Sequence, residues 1–228
     1  MTVSLPADKL VCVVVPVYKA LSAYDVEALA MYRRVFSRRD IWCAVPFSLD
    51  AQTRDVLKGS FGFRLKDFDS SFFKSVDSYS RLLTLPLFYR AFGDYQYMLI
   101  AQLDAVCFRD DLDSWCGKGY DYVGAPWCHL CRHVCNPCMS SPGEKLVGNG
   151  GLSLRRIDAF VRQLPEDGLR DFVPEDLKIM QYLDLKTPRC DEALRFSVES
   201  YANVHVLKNN IKAMGMHQIR KIYPWLYQ

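Results

Sequence analysis

Four places in the 228-residue chain hold residue types that can do chemistry. Asp104 directly follows the apolar run YMLIAQL, so it stands where a buried strand would end. A carboxylate there could hold a divalent cation, a hard acid that takes oxygen ligands and bridges phosphates. It could equally cap its own loop. Gly148, Asn149, Gly150 and Gly151 form a glycine-rich turn just before LSLRR. Such a turn admits φ > 0 and lets the backbone approach a ligand closely, or is simply a tight turn. It fits neither GxxxxGK(S/T) nor GxGxxG. Pro174, Glu175 and Asp176 open a helical pattern. Acidic residues there suit the helix dipole, and one of them could also accept a proton as a general base. His217, in GMHQIRK, offers an imidazole as a metal ligand or as a surface group.

A fifth feature is Cys128, Cys131, Cys135 and Cys138, two CxxC pairs with His129 and His133 between them. Four thiolates could form a tetrahedral structural Zn²⁺ site. Redox-active thiols, Cys₄ iron–sulfur ligation and plain thiols on a loop are the alternatives. Cys12, Cys43, Cys107, Cys116 and Cys190 are scattered, mostly among apolar neighbours, and read as small hydrophobes in a reducing compartment.

The elements that must position these residues follow from periodicity. VCVVVPV (11–17) is β-branched and too short for a buried helix, so it predicts a central parallel strand. A helix is expected over 24–36, with acidic residues early and arginines late. Strands are expected over 41–46, 61–68, 97–103, 120–123 and 152–154. Helices are expected over 51–57, 78–92 with a break at Pro86, 156–164, and 174–183 with Pro174 in the first turn. Asp110 and Asp111 are expected to cap a short helix over 112–115. The stretch 128–145 is turn-rich and reads as a cysteine-rich loop insertion. With no repeat and no Gly/Ser linker, the whole chain, 1–228, is expected to form one α/β domain on a mostly parallel sheet flanked by helices.

Composition narrows the function classes. Half the residues are hydrophobic and 24% are charged, which excludes a disordered or collagen-like chain. The net charge of +3 offers no clustered basic face, so nucleic acid is not an expected partner. No apolar run approaches the roughly 18–20 residues that span a bilayer. MTVSLPADKL lacks the layout of a signal peptide, so a cytoplasmic protein is expected, with peripheral membrane contact left open.

In chain order, Asp104-Ala105-Val106, the Gly148–Gly151 turn, Pro174-Glu175-Asp176 and His217 resemble the constellation of GT-A fold glycosyltransferases: a DxD-type motif, a glycine-rich loop, an xED motif and a C-terminal metal-binding His. The surrounding text, SVDSYSRLLTLPLFYRAFGDYQYMLIAQLDAVCF, WCGKGYDYVGAPW, VGNGGLSLRR and ALRFSVES, resembles a bacterial glycosyltransferase-like family known as DUF5672. The resemblance spans about residues 11–217 and implies a Rossmann-like GT-A domain that moves a sugar from a nucleotide diphosphate sugar, a UDP-sugar first among them, to an acceptor hydroxyl. The acceptor would be a glycan, a lipid-linked intermediate or a protein, in the synthesis of surface polysaccharide, lipopolysaccharide or a related glycan.

On that resemblance Asp104 and His217 would hold Mn²⁺ or Mg²⁺, and Pro16, Val17 and Tyr18 would receive the nucleotide. Gly148, Asn149, Gly150 and Gly151 would shape the donor and acceptor pocket. Asp176 would be the base of an inverting displacement, with Glu175 orienting the acceptor or holding the helix start. Val106 departs from the pattern, because it leaves the DxD-type motif one carboxylate short. The departure leaves open a pseudo-glycosyltransferase that binds nucleotide or glycan without turnover. The CxxC pairs leave open a zinc-containing nucleic-acid module, which the balanced charge disfavours.

Overall fold

The computed structural model describes residues 9–127, 147–169, 174–199 and 212–218. Its frame starts at β1 (Val11–Pro16), in which every residue is buried. Val11, Val13 and Val15 face one core and Cys12 and Val14 the other, as the two-residue period of a strand requires. α1 (Ala23–Val35) begins at a capping box between Ser22 and Asp25 and packs Leu29 and Tyr32 onto the first of those cores. β2 (Ile41–Pro46) follows, then α2 (Ala51–Asp55), which runs into a π-helical turn over Val56–Ser60, and β3 (Arg64–Phe68).

The helical stretch expected over 78–92 does break at Pro86, into two helices. α3 (Val76–Leu83) starts on a Ser75–Ser78 capping box, and α4 (Pro86–Arg90) starts at Pro86, which suits a first turn because its missing N–H has no partner there anyway. β4 (Tyr97–Ala101), β5 (Val106–Cys107), α5 (Leu112–Gly117) and β6 (Tyr122–Val123) come next. Asp111 occupies the cap of α5 without a side-chain capping bond and accepts from Arg109 instead; Asp110 accepts from Leu112 N–H and pairs with Arg39. β7 (Leu152–Arg156), α6 (Ile157–Gln163), α7 (Glu175–Tyr182), α8 (Cys190–Ala193), β8 (Ser197–Val198) and β9 (Gly215–Met216) complete the order. Pro174 caps α7 from outside rather than sitting in its first turn.

The main sheet has the order β3-β2-β1-β4-β7-β6. The pairings β2–β3, β1–β2 and β1–β4 are parallel, while β4–β7 and β6–β7 are antiparallel. A mixed α/β domain with a mostly parallel six-stranded sheet between helical layers is thus the observed fold. A second sheet, β5-β9-β8, is too short to leave a periodic signal in the sequence, and it brings the C-terminal segment back to the end of β4.

Candidate active site

From β1 the chain passes to β2 on one side and later to β4 on the other, and ligands of open α/β sheets bind at the carboxyl ends of strands at such a switch point. A cleft of about 530 Å³ opens there. Pro16, Val17 and Tyr18 wall it from β1, Gln102 and Asp104 from β4, and Lys74 and Tyr79 from the edge of α3. Tyr18 is half exposed, with the Lys19 ammonium over its ring at 5.9 Å from the centre. The turn carrying Asp104 is tied down from below, because the Tyr32 hydroxyl donates to the carbonyls of Gln102 (2.5 Å) and Ala105 (3.0 Å).

His217 meets Asp104 through the small sheet. Val106 of β5 pairs with Met216 of β9, and His217 N–H donates to Val198 O at 3.0 Å, which brings the imidazole to Asp104. Its Nε2 lies 3.2 Å from Asp104 Oδ1 and 3.3 Å from Gln102 Oε1. On the other side Glu199 Oε1 stands 3.3 Å from Nδ1, and both side chains are buried. Burial alone would depress the imidazole pKa, but the Asp104 and Glu199 carboxylates outweigh it and raise it to about 9.

The glycine turn works by close approach. Gly148, Gly150 and Gly151 do not have positive φ, contrary to one reading of the sequence. Instead a Cβ on Gly151 would lie 2.0 Å from His217 Nε2, one on Gly150 2.4 Å from Glu175 Oε1, and one on Gly148 2.4 Å from Trp127. Asn149 closes the turn by accepting from Gly151 N–H through Oδ1 at 3.2 Å. The turn therefore seats His217 on one side and the start of α7 on the other.

At that start, Glu175 points inward. Its Oε2 accepts from Ser80 Oγ at 3.2 Å, and its Oε1 is 3.6 Å from Nη2 of Arg155, a fully buried arginine. Arg155 donates to Ser153 Oγ (3.0 Å) and Tyr89 OH (2.8 Å), and its guanidinium lies 5.3 Å from the Tyr122 ring centre and 5.7 Å from that of Phe160. Asp176 is only partly buried. Burial, then the neighbouring Glu175 charge, raises its pKa to about 6 against the opposing N–H groups of Leu177 and Gly150 and the Arg155 charge. A carboxylate at that pKa is ionised at neutral pH yet basic enough to take up a proton.

The structure thus brings Asp104, His217, Glu175, Asp176 and the glycine turn into one contact chain, with Pro16, Val17 and Tyr18 across the cleft. Gln102, Glu199 and Arg155 complete that chain and were not singled out from the sequence. The nearest signal was polar residues inside apolar strand text, as in AQLD and LSLRR. Asp104, His217 and the Gln102 oxygen give a mixed oxygen and nitrogen donor set that suits a hard divalent cation, and Nδ1 of His217 makes no aligned hydrogen bond. Among the described residues no group of three His, Cys, Asp or Glu is placed to hold a metal. Cys128, Cys131, Cys135 and Cys138 lie outside the described residues. Cys12, Cys43, Cys107, Cys116 and Cys190 are all buried, and burial pushes the first four thiols up, which makes them packing groups rather than nucleophiles. Among the described residues no helix is long and apolar enough to cross a membrane.

These features define a GT-A fold. Galactosyltransferase LgtC in complex with donor and acceptor sugar analogs aligns with a TM-score of 0.55 at 15% identity, over 90% of this chain and 86% of that one. A second LgtC structure, of an active-site mutant, aligns at 0.58 and 14%, with the same coverage. Core-mannan synthase A (CmsA/Ktr4) from Aspergillus fumigatus, in a Mn/GDP form, aligns more loosely at 0.49 and 9%, over 84% of this chain and 73% of that one. No curated relative matches the sequence. The chain belongs to the family described as "Protein of unknown function (DUF5672)", whose model matches residues 62–217.

Proposed function

We propose that the protein is a glycosyltransferase that moves a sugar from a nucleotide diphosphate sugar, a UDP-sugar first among the candidates, to an acceptor hydroxyl. The observation that carries this reading is the Asp104–His217 pair at the mouth of the cleft, joined to Asp176 through the Gly150–Gly151 turn. The nucleotide enters against Pro16, Val17 and Tyr18, where Tyr18 offers a stacking face. Asp104 and His217 hold Mn²⁺ or Mg²⁺, and the ion supplies charge neutralisation for the diphosphate leaving group.

Asp176 takes the proton from the acceptor hydroxyl as that oxygen attacks the sugar carbon, which makes the transfer a single inverting displacement. Glu175 is the structural partner of this pair, since Arg155 and Ser80 hold it inward. The acceptor is a glycan, lipid-linked or protein hydroxyl in surface-glycan synthesis, met on the cytoplasmic side.

Incubating the protein with UDP-, GDP- and CMP-sugars and Mn²⁺ or Mg²⁺ tests the reading. One donor class releases nucleotide and Asp176→Asn suppresses the release; an Asp176→Asn variant at full rate removes that residue from the base role. Val106, which puts no carboxylate beside Asp104, favours a second reading, a nucleotide-binding pseudoenzyme. Tight UDP binding by calorimetry with no transfer to any acceptor distinguishes it.

A further inference from the structure

We propose that Gln102 supplies the oxygen ligand that Val106 cannot, so that the cation is held by Gln102 Oε1, Asp104 and His217 Nε2. The proposal rests on the metal-dependent reading above. Its ground is the position of three donors from one strand end and one returning segment. Gln102 and Asp104 flank Leu103 at the end of β4, and both present oxygens to the same imidazole nitrogen, at 3.3 and 3.2 Å. Val106 sits in β5, where its residue pairs with Met216, so the strand that would carry the second carboxylate is used to deliver His217.

The spacing suits a cation as well as a proton. Neighbouring ligands of an octahedral ion with bonds of about 2.0–2.1 Å stand about 3 Å apart. A proton on Nε2 can therefore be shared with these two oxygens, and a cation can take its place without a large rearrangement. The Gln102 amide presents Oε1, an acceptor with two lone pairs, to the imidazole side. Behind the ring, Glu199 Oε1 stands 3.3 Å from Nδ1 without an aligned hydrogen bond, so it acts on the imidazole through its charge. Gly151 leaves the ring the room it needs. With one carboxylate, one imidazole and one neutral carbonyl, the site carries little charge and depends on the donor's phosphates and water for the remaining ligands.

The test titrates the full chain with MnCl₂, alone and with UDP, and reads free Mn²⁺ by electron paramagnetic resonance. Gln102→Ala is expected to bind Mn²⁺ at least roughly tenfold more weakly, a loss typical of perturbing a ligand shell. Gln102→Glu is expected to bind roughly tenfold more tightly, because ligand charge count sets affinity at oxygen sites. Both variants keep the wild-type melting curve. Unchanged affinity in either variant, with Asp104→Asn having lost the ion, overturns the role of Gln102. Failure of the wild type to bind Mn²⁺ at millimolar concentration, with or without UDP, overturns the metal centre itself. That failure is separable from the transferase reading, which nucleotide release from a sugar donor without added metal checks independently.

Discussion

His217 Nε2 stands 3.2 Å from Asp104 Oδ1, although the two residues come from distant parts of the chain. The contact exists because β9 pairs with β5 immediately after Asp104, so a two-residue strand does the positioning. With Glu199 on the opposite nitrogen, the imidazole is clamped between two carboxylates.

That clamp has a pH signature. The folded-state pKa of about 9 lies above the ordinary value of about 6.5, so the pairing stabilises the fold fully below pH ~6.5 and loses that contribution as pH rises through 9. The loss is on the order of 2–3 kcal/mol. Urea midpoints between pH 6.5 and 9 are expected to fall in the wild type and to stay flat in His217→Gln. Glu199→Gln should show a smaller fall, because one of the two carboxylate charges remains.

Asp176 titrates in a lower window. Its raised pKa of about 6 means that the ionised form is held at a cost, and that cost appears as pH rises from about 4 through 6. Asp176→Asn should therefore gain about 1–3 kcal/mol at pH 7, seen as a higher melting temperature. The same variant should lose roughly 10²–10⁴ in transfer rate, and the wild-type rate should climb with pH through about 6 as the base ionises.

Gly151→Ala tests the seat of the histidine. A Cβ 2.0 Å from Nε2 forces the ring to move, which separates it from Asp104 and Glu199. The imidazole pKa, followed by NMR, should drop from about 9 toward the ordinary value of about 6.5. An unchanged pKa would mean that the turn gives way instead of the ring.

Arg155 and Glu175 are expected to be coupled. Removing one partner of a buried pair strands the other, at about 3–5 kcal/mol. Arg155→Met should be destabilised by that order in urea unfolding, and Arg155→Met combined with Glu175→Gln should recover part of the loss. A double-mutant cycle that sums to no coupling would show that the 3.6 Å pair contributes nothing specific.

Much of this fold was legible in the sequence because β1, β2 and β4 are β-branched or apolar runs with one structural solution. The break expected at Pro86 within 78–92 was legible because a proline costs least in a helix's first turn. The site was legible only in pieces. Asp104, Asp176 and His217 stood out by type and position, but what joins them did not. Arg155 reads as a surface arginine, since arginine is almost never fully buried unless paired, and its pairing depends on Tyr89, Ser80 and Glu175 from three other segments. Glu199 and Gln102 act through β8, β9 and a strand end, which are too short for periodicity to expose. The glycines were legible as a turn, but their reason, the approach of His217 and Glu175, lies entirely in tertiary structure.

The most direct test of the account is nucleotide release from a panel of UDP-, GDP- and CMP-sugars by the purified protein with Mn²⁺, measured beside Asp104→Asn and Asp176→Asn. The account predicts release from one donor class by the wild type and its loss in both variants, each still folded by circular dichroism. Release that persists undiminished in both variants, or no release from any donor, would contradict it.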